Sequence, residues 1–205
     1  MTLDTLPNLL VKQPETDKRA PMASAPIVYN ADDSVAWEQM WDSFCVLASA
    51  GGPPHRATLL KAQPDADPTS EGYRFATEEI IRGIVLVSGL SAVPAQIGWI
   101  AIDCGKASKA RWLSEQIRQE NVDAYAEGSR LFVPVGENFT LKGEIKNVIT
   151  AVAKTTHYWS DHLATELKTS LEWEERGRAL LRRVTRFIPS RDGVHHWMGP
   201  IGDGP

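Results

Sequence analysis

The sequence predicts an α+β fold, and three observations carry that reading. "IGWIAIDC" is β-rich and apolar on both faces, as an interior strand is. "VDAYAEGSRLFVPV" holds two short β runs about a Gly-containing turn, the signature of a hairpin. "KASKARWLSEQIRQEN" and "NFTLKGEIKNVITAVAKTTHYW" repeat apolar residues at spacings of three and four, the period of an amphipathic helix. In chain order these segments make β-α-β-β-α, most of a split βαβ, ferredoxin-like unit. A final strand is missing from it. The first half of the chain or a second subunit would have to supply that strand. An N-terminal helical segment and a long C-terminal helix flank the unit.

Taken in order, residues 1–30 are rich in Pro, Ala and charge without a sustained period, and read as a flexible arm. Residues 31–188 read as one α+β domain. Within it, "DDSVAWEQMWDSFCVLASAGG" predicts a helix N-capped by Asp33 or Ser34. Its stripe is Trp37, Met40, Trp41, Phe44 and Ala48, and Gly51 with Pro53-Pro54 stops it. "RATLLKA" suits a strand or a turn of helix, and "QPDADPTSEG" is a loop by composition. "ATEEIIRGIVLVSGL" predicts a helix capped by Thr77, with Ile80, Ile81, Ile84 and Val85 buried. Ala110, Leu113 and Ile117 face the core from the next helix. Thr140 caps the one after it, whose stripe runs Leu141, Ile145, Val148, Val152, Trp159. "DHLATELKTSLEWEERGRALLRRVTRFIPS" predicts a long helix that buries Leu163, Leu167, Leu171 and Leu181. Residues 189–205 are Gly/Pro-rich and read as a mobile tail.

The bulk numbers bound the function. The 205 residues suffice for one full core, and 42% hydrophobic with 23% charged residues is ordinary for a globular protein. A net charge of -4 disfavours nucleic acid, whose binding domains are usually basic. The first residues lack the apolar stretch of a signal peptide, and no run approaches a membrane span. A cytoplasmic protein with reduced cysteines is therefore expected. Seven tryptophans against five phenylalanines is a balance seen at interfaces as well as in cores.

Chemistry concentrates in "AKTTHYWSDHL". His157 and Asp161 are four apart, so one helix face carries both, and a carboxylate fixes the tautomer of a neighbouring imidazole. His157 and Asp161 are thus candidate catalytic groups. His157 and His162 are five apart and diverge by about 140° on a straight helix. They can share a metal only if the helix breaks near Ser160. The competing reading is an αα-corner in which Trp159 packs, Asp161 caps and the histidines lie at the surface.

A second candidate is "AGGPPHRATLL". There Gly51 and Gly52 allow close backbone approach, Arg56 and Thr58 suit an anionic substrate, and His55 is a candidate catalytic partner. The plain alternative is a helix stop. Cys45 reads as a core residue and Cys104, at a strand end, as the more interesting but inert thiol. Arg176, Arg178, Arg182, Arg183 and Arg186 follow Glu172, Glu174 and Glu175 by about one turn, which suits intrahelical pairs on a solvated face.

Three functions compete on these grounds, the last of them an RNA- or protein-binding module that uses the terminal arginines and is disfavoured by the acidic net charge. The first is an accessory or binding protein that self-associates or works with a partner protein. The second is a small enzyme or metal-handling protein that uses His157, Asp161 and His162 with the GGPPHR loop on an anionic small molecule. No motif names a cofactor.

Overall fold

The computed structural model describes residues 27–40 and 57–186 of the chain. A short 3₁₀ turn, Trp37–Met40, is followed by α1, Glu71–Ser88, and by β1, Ala92–Pro94. Next come β2, Trp99–Asp103, α2, Ala107–Gln119, β3, Tyr125–Glu127, and β4, Arg130–Pro134. A π turn at Leu141–Ile145 leads into α3, Lys146–His157. A second π turn, Tyr158–His162, leads into α4, Thr165–Arg186.

Among the described residues the protein is therefore mixed helix and sheet, with one four-stranded antiparallel sheet in the order β1-β2-β4-β3. The β2–β4 ladder pairs Trp99 with Pro134 and Asp103 with Arg130, and it forms the centre. β3 pairs with β4 through Tyr125 and Phe132, and β1 pairs with β2 through Val93 and Ala101. β1 is not among the strands read from the sequence. It comes from the same chain, just before β2. Three residues ending in proline give too little alternation to be read as a strand.

Directly opposed residues share a face of an antiparallel sheet. Ile100, Ile102, Leu131 and Val133 thus lie together, all fully buried among Ile84, Leu113, Ile117, Ile149 and Val152 of the helices. The other face carries Trp99, Phe132 and Tyr125. Tyr125 stacks on Phe132 at 4.6 Å between ring centroids and meets Trp99 edge-on at 4.7 Å. Helix α1 packs on α3 through Gly83, where a Cβ would overlap the side chain of Ile149.

Several expectations are corrected. No helix starts at Asp33 or Ser34. Asp33 sits in a turn at φ 62°, closed by the Asp32 carboxylate, which accepts from Ser34 N–H and Oγ. Helical geometry begins only at Trp37. Helix α1 starts earlier than its expected Thr77 cap. Ser70 is the N-cap and its Oγ accepts from Tyr73 N–H at 3.2 Å, while Thr77 is buried mid-helix. Val85 of this helix is exposed rather than buried. Thr140 occupies its expected N-cap position without a side-chain cap. Instead the Glu144 carboxylate reaches back to accept from Thr140 N–H and Oγ1, both at 3.0 Å. "RATLLKA" makes a single parallel bridge between Leu60 and Val122. Leu167 and Leu181, expected in the core, are exposed on α4. The expectations at Trp41, Phe44, Cys45 and Ala48, the 1–26 part of the arm and the tail from 187 lie outside the described residues.

Candidate functional site

The site is built by the way α3 ends. α3 runs in α geometry to His157, and then its hydrogen bonding widens from i→i+4 to i→i+5. The last of these bonds takes Leu163 N–H to Tyr158 O at 2.9 Å, after which Leu163 is extended and α4 begins. A π turn brings residues five apart onto one face, where an α-helix separates them. This is the break near Ser160 on which a shared site depended.

Three predicted site residues meet there. His157 Nδ1 lies 2.9 Å from Asp161 Oδ2, and His162 Nε2 lies 3.2 Å from His157 Nε2. The two rings stand 5.0 Å apart and nearly perpendicular. With Asp161 accepting from Nδ1–H, the Nε2 of His157 presents a lone pair outward. The His157 side chain is mostly buried and Asp161 is exposed, so the cluster sits at the surface with an anchored floor.

That floor is aromatic. Tyr158 stacks on Trp112 of α2 at 5.9 Å with the planes 12° apart, and Trp159 packs against the same indole at 5.4 Å. Lys168 of α4 lies 5.9 Å from the Trp159 ring and donates to Ser160 O. Beside Tyr158 is a cavity of about 180 Å³, lined by Trp112, Gln116, Glu120, Lys154 and Thr155. Lys154 and Glu120 form a largely buried ion pair across it. Sequence reasoning passed over this wall. The surplus of tryptophan was its one signal, because Trp112 lies beside the core stripe of α2 rather than in it.

The other predicted residues fare differently. Gly51, Gly52, His55 and Arg56 lie outside the described residues. Thr58 is exposed at the start of the segment that Leu60 pins to Asn121 and Asp123, through bonds of 2.7 and 2.8 Å. Among the described residues, no group of three or more His, Cys, Asp or Glu is placed to hold a metal ion, and the cluster at this corner brings together two imidazoles.

Cys104 is buried, and burial is the main cause that pushes its thiol from an ordinary 9.0 up to about 11. Lys109 opposes the rise and Asp103 adds to it. At pH 8 in a Cys45→Ser background, native protein is expected to react with a disulfide reagent about 100-fold more slowly than unfolded protein. A rate equal to the unfolded one would place the thiol at the surface. The unfolded thiol ionises first, so the stability from keeping Cys104 protonated is present below 9.0 and lost as pH rises towards about 11.

The fold and site thus define a chain of mixed helix and antiparallel sheet with a paired-histidine corner. No family model, curated protein or solved structure matches it. Among the described residues no helix is long and apolar enough to cross a membrane.

Proposed function

We propose that the chain is a small accessory protein that binds a divalent transition metal through His157 and His162 and acts together with a protein partner, a second copy foremost. One observation carries the metal. Two nitrogens bound about 2.0–2.1 Å from a tetrahedral ion stand roughly 3.3 Å apart. The two Nε2 atoms are 3.2 Å apart before any ion is added. In metal-free protein the same separation suits an N–H···N bond, so binding requires His162 to move its proton to Nδ1. Asp161 on His157 Nδ1 is the usual carboxylate behind a metal-bound imidazole. Two protein ligands leave positions open for water or for an anionic small molecule. An enzyme that used this corner would need that open position.

The ferredoxin-like, split βαβ reading belongs here too. Two features support it: β2 and β3 run parallel on either side of β4, and α2 connects them. β1 would then stand where such a unit carries its last strand.

Calorimetric titration of purified protein with Zn²⁺ or Co²⁺ is the test. One ion per chain is expected, with Co²⁺ absorption of a nitrogen-ligated site. His157→Ala and His162→Ala should each abolish saturable binding. Asp161→Asn should weaken it roughly 10–100-fold. Equal binding by wild type and the double histidine variant, or none by wild type, sinks the metal reading.

A further inference from the structure

We infer that α4 pairs antiparallel with α4 of a second copy, crossing at Gly177. This rests on the self-association reading above and names its surface. α4 has two sides. One faces the body: Glu172 pairs with Lys106 at 2.6 Å, Glu175 pairs with Arg111 at 2.8 Å, and Ala179 lines the cavity against α2. Roughly 140° round the helix lie Trp173, Gly177 and Leu180, at spacings of four and three. Trp173 is 65% exposed and Leu180 64%. This is the apolar stripe of an amphipathic helix, and it points away from the molecule's own core.

Gly177 adds a second observation. Glycine inside a solvated helix costs about 1 kcal/mol against alanine. A Cβ at Gly177 would meet nothing within 4 Å, so no contact among the described residues calls for it. A helix crossing at that point does, because its backbone can then approach closely.

Charge selects the occupant and its direction. Residues 165–175 hold four glutamates and one lysine, whereas residues 176–186 hold five arginines and no acid. A parallel pair would set acid on acid and arginine on arginine. An antiparallel pair about Gly177 sets each half against its complement. In that register Glu174 lies near the partner's Arg178, and Trp173 lies near the partner's Leu180. Within one chain, Arg176 stacks over Trp173 at 5.2 Å and Arg178 pairs with Glu174 at 3.2 Å. Both contacts are exposed and can re-pair across the interface.

Sedimentation equilibrium of the full chain at tens of micromolar is expected to show a dimer. Leu180→Arg and Trp173→Glu should each weaken it at least about tenfold, the cost of a charge in an apolar contact. Both side chains are exposed, so circular dichroism should not change. Added salt should weaken the wild-type dimer through screening. In a Cys45→Ser background, Gly177→Cys should cross-link to itself under mild oxidation, and Ser170→Cys should not. A Ser170→Cys cross-link would show a parallel pair and overturn the proposal. A wild-type dimer unmoved by either α4 variant overturns this surface and leaves self-association standing. A wild-type monomer overturns both.

Discussion

Replacing Trp37 with alanine should destabilise the protein by about 3–5 kcal/mol, the usual cost of deleting a large buried aromatic side chain. Trp37 is fully buried, and its Nε1–H donates to Glu79 Oε1 of α1 at 2.8 Å. Glu79 in turn accepts from Arg82 at 2.6 and 2.9 Å, and Arg82 donates to Val35 O at 3.0 Å. The indole therefore fills a core position and closes a network that holds residues 35–37 on α1. Alanine loses both, and the remaining cavity is lined by side chains already locked by their own packing. Trp37→Phe keeps most of the volume but not the donor, and about 1–2 kcal/mol is expected for it. Urea unfolding followed by far-ultraviolet circular dichroism measures both. A loss under 1 kcal/mol for the alanine variant would mean that the indole is not part of the core.

Lys154→Met is expected to cost about 3–5 kcal/mol, because removing one member of a buried ion pair takes away the cation that compensates the desolvation of the other. Lys154 of α3 meets Glu120 at the end of α2, and both side chains are largely buried. The Coulombic attraction between them offsets the loss of water. Methionine restores the volume of the lysine stem but leaves the Glu120 carboxylate facing it without that cation. The double variant Lys154→Met, Glu120→Gln removes both charges and should recover most of the loss. If the single and double variants are equally destabilised, packing rather than charge is what matters here. The pair also lines the cavity beside Tyr158. Moving that wall should loosen His157 one turn further along α3, and the Zn²⁺ titration of the double variant reads this directly.

Periodicity made the middle of the fold legible. Helical spacing assigns Leu113 and Ile117, and Val148 and Val152, to the core, and all four are buried there. The hairpin was legible from Gly128, which takes φ 57° between β3 and β4. The His157–Asp161 pair follows from helical spacing as well. These signals are local: the partner of each residue is one strand position or one helical turn away, and side-chain chemistry alone sets the preference.

Other features have no local signal. β1 exists because β2 offers an edge to pair with, not because three residues ending in Pro94 favour a strand. Leu167 and Leu181 sit at core-like spacing on α4 but stay exposed, because ion pairs at Glu172 and Glu175 present a different side of the helix to the body. The widest gap is at His162. The sequence set a condition, that the helix must break near Ser160 for two histidines to meet. Only the packing of Tyr158 and Trp159 against Trp112, with α4 leaving at Leu163, decided that the turn widens and satisfies it. Composition and period determine which residues seek burial and which spacings share a face. Where a helix yields, and which of its faces meets the core, is decided by contacts between segments distant in the chain, whose energies no single segment contains.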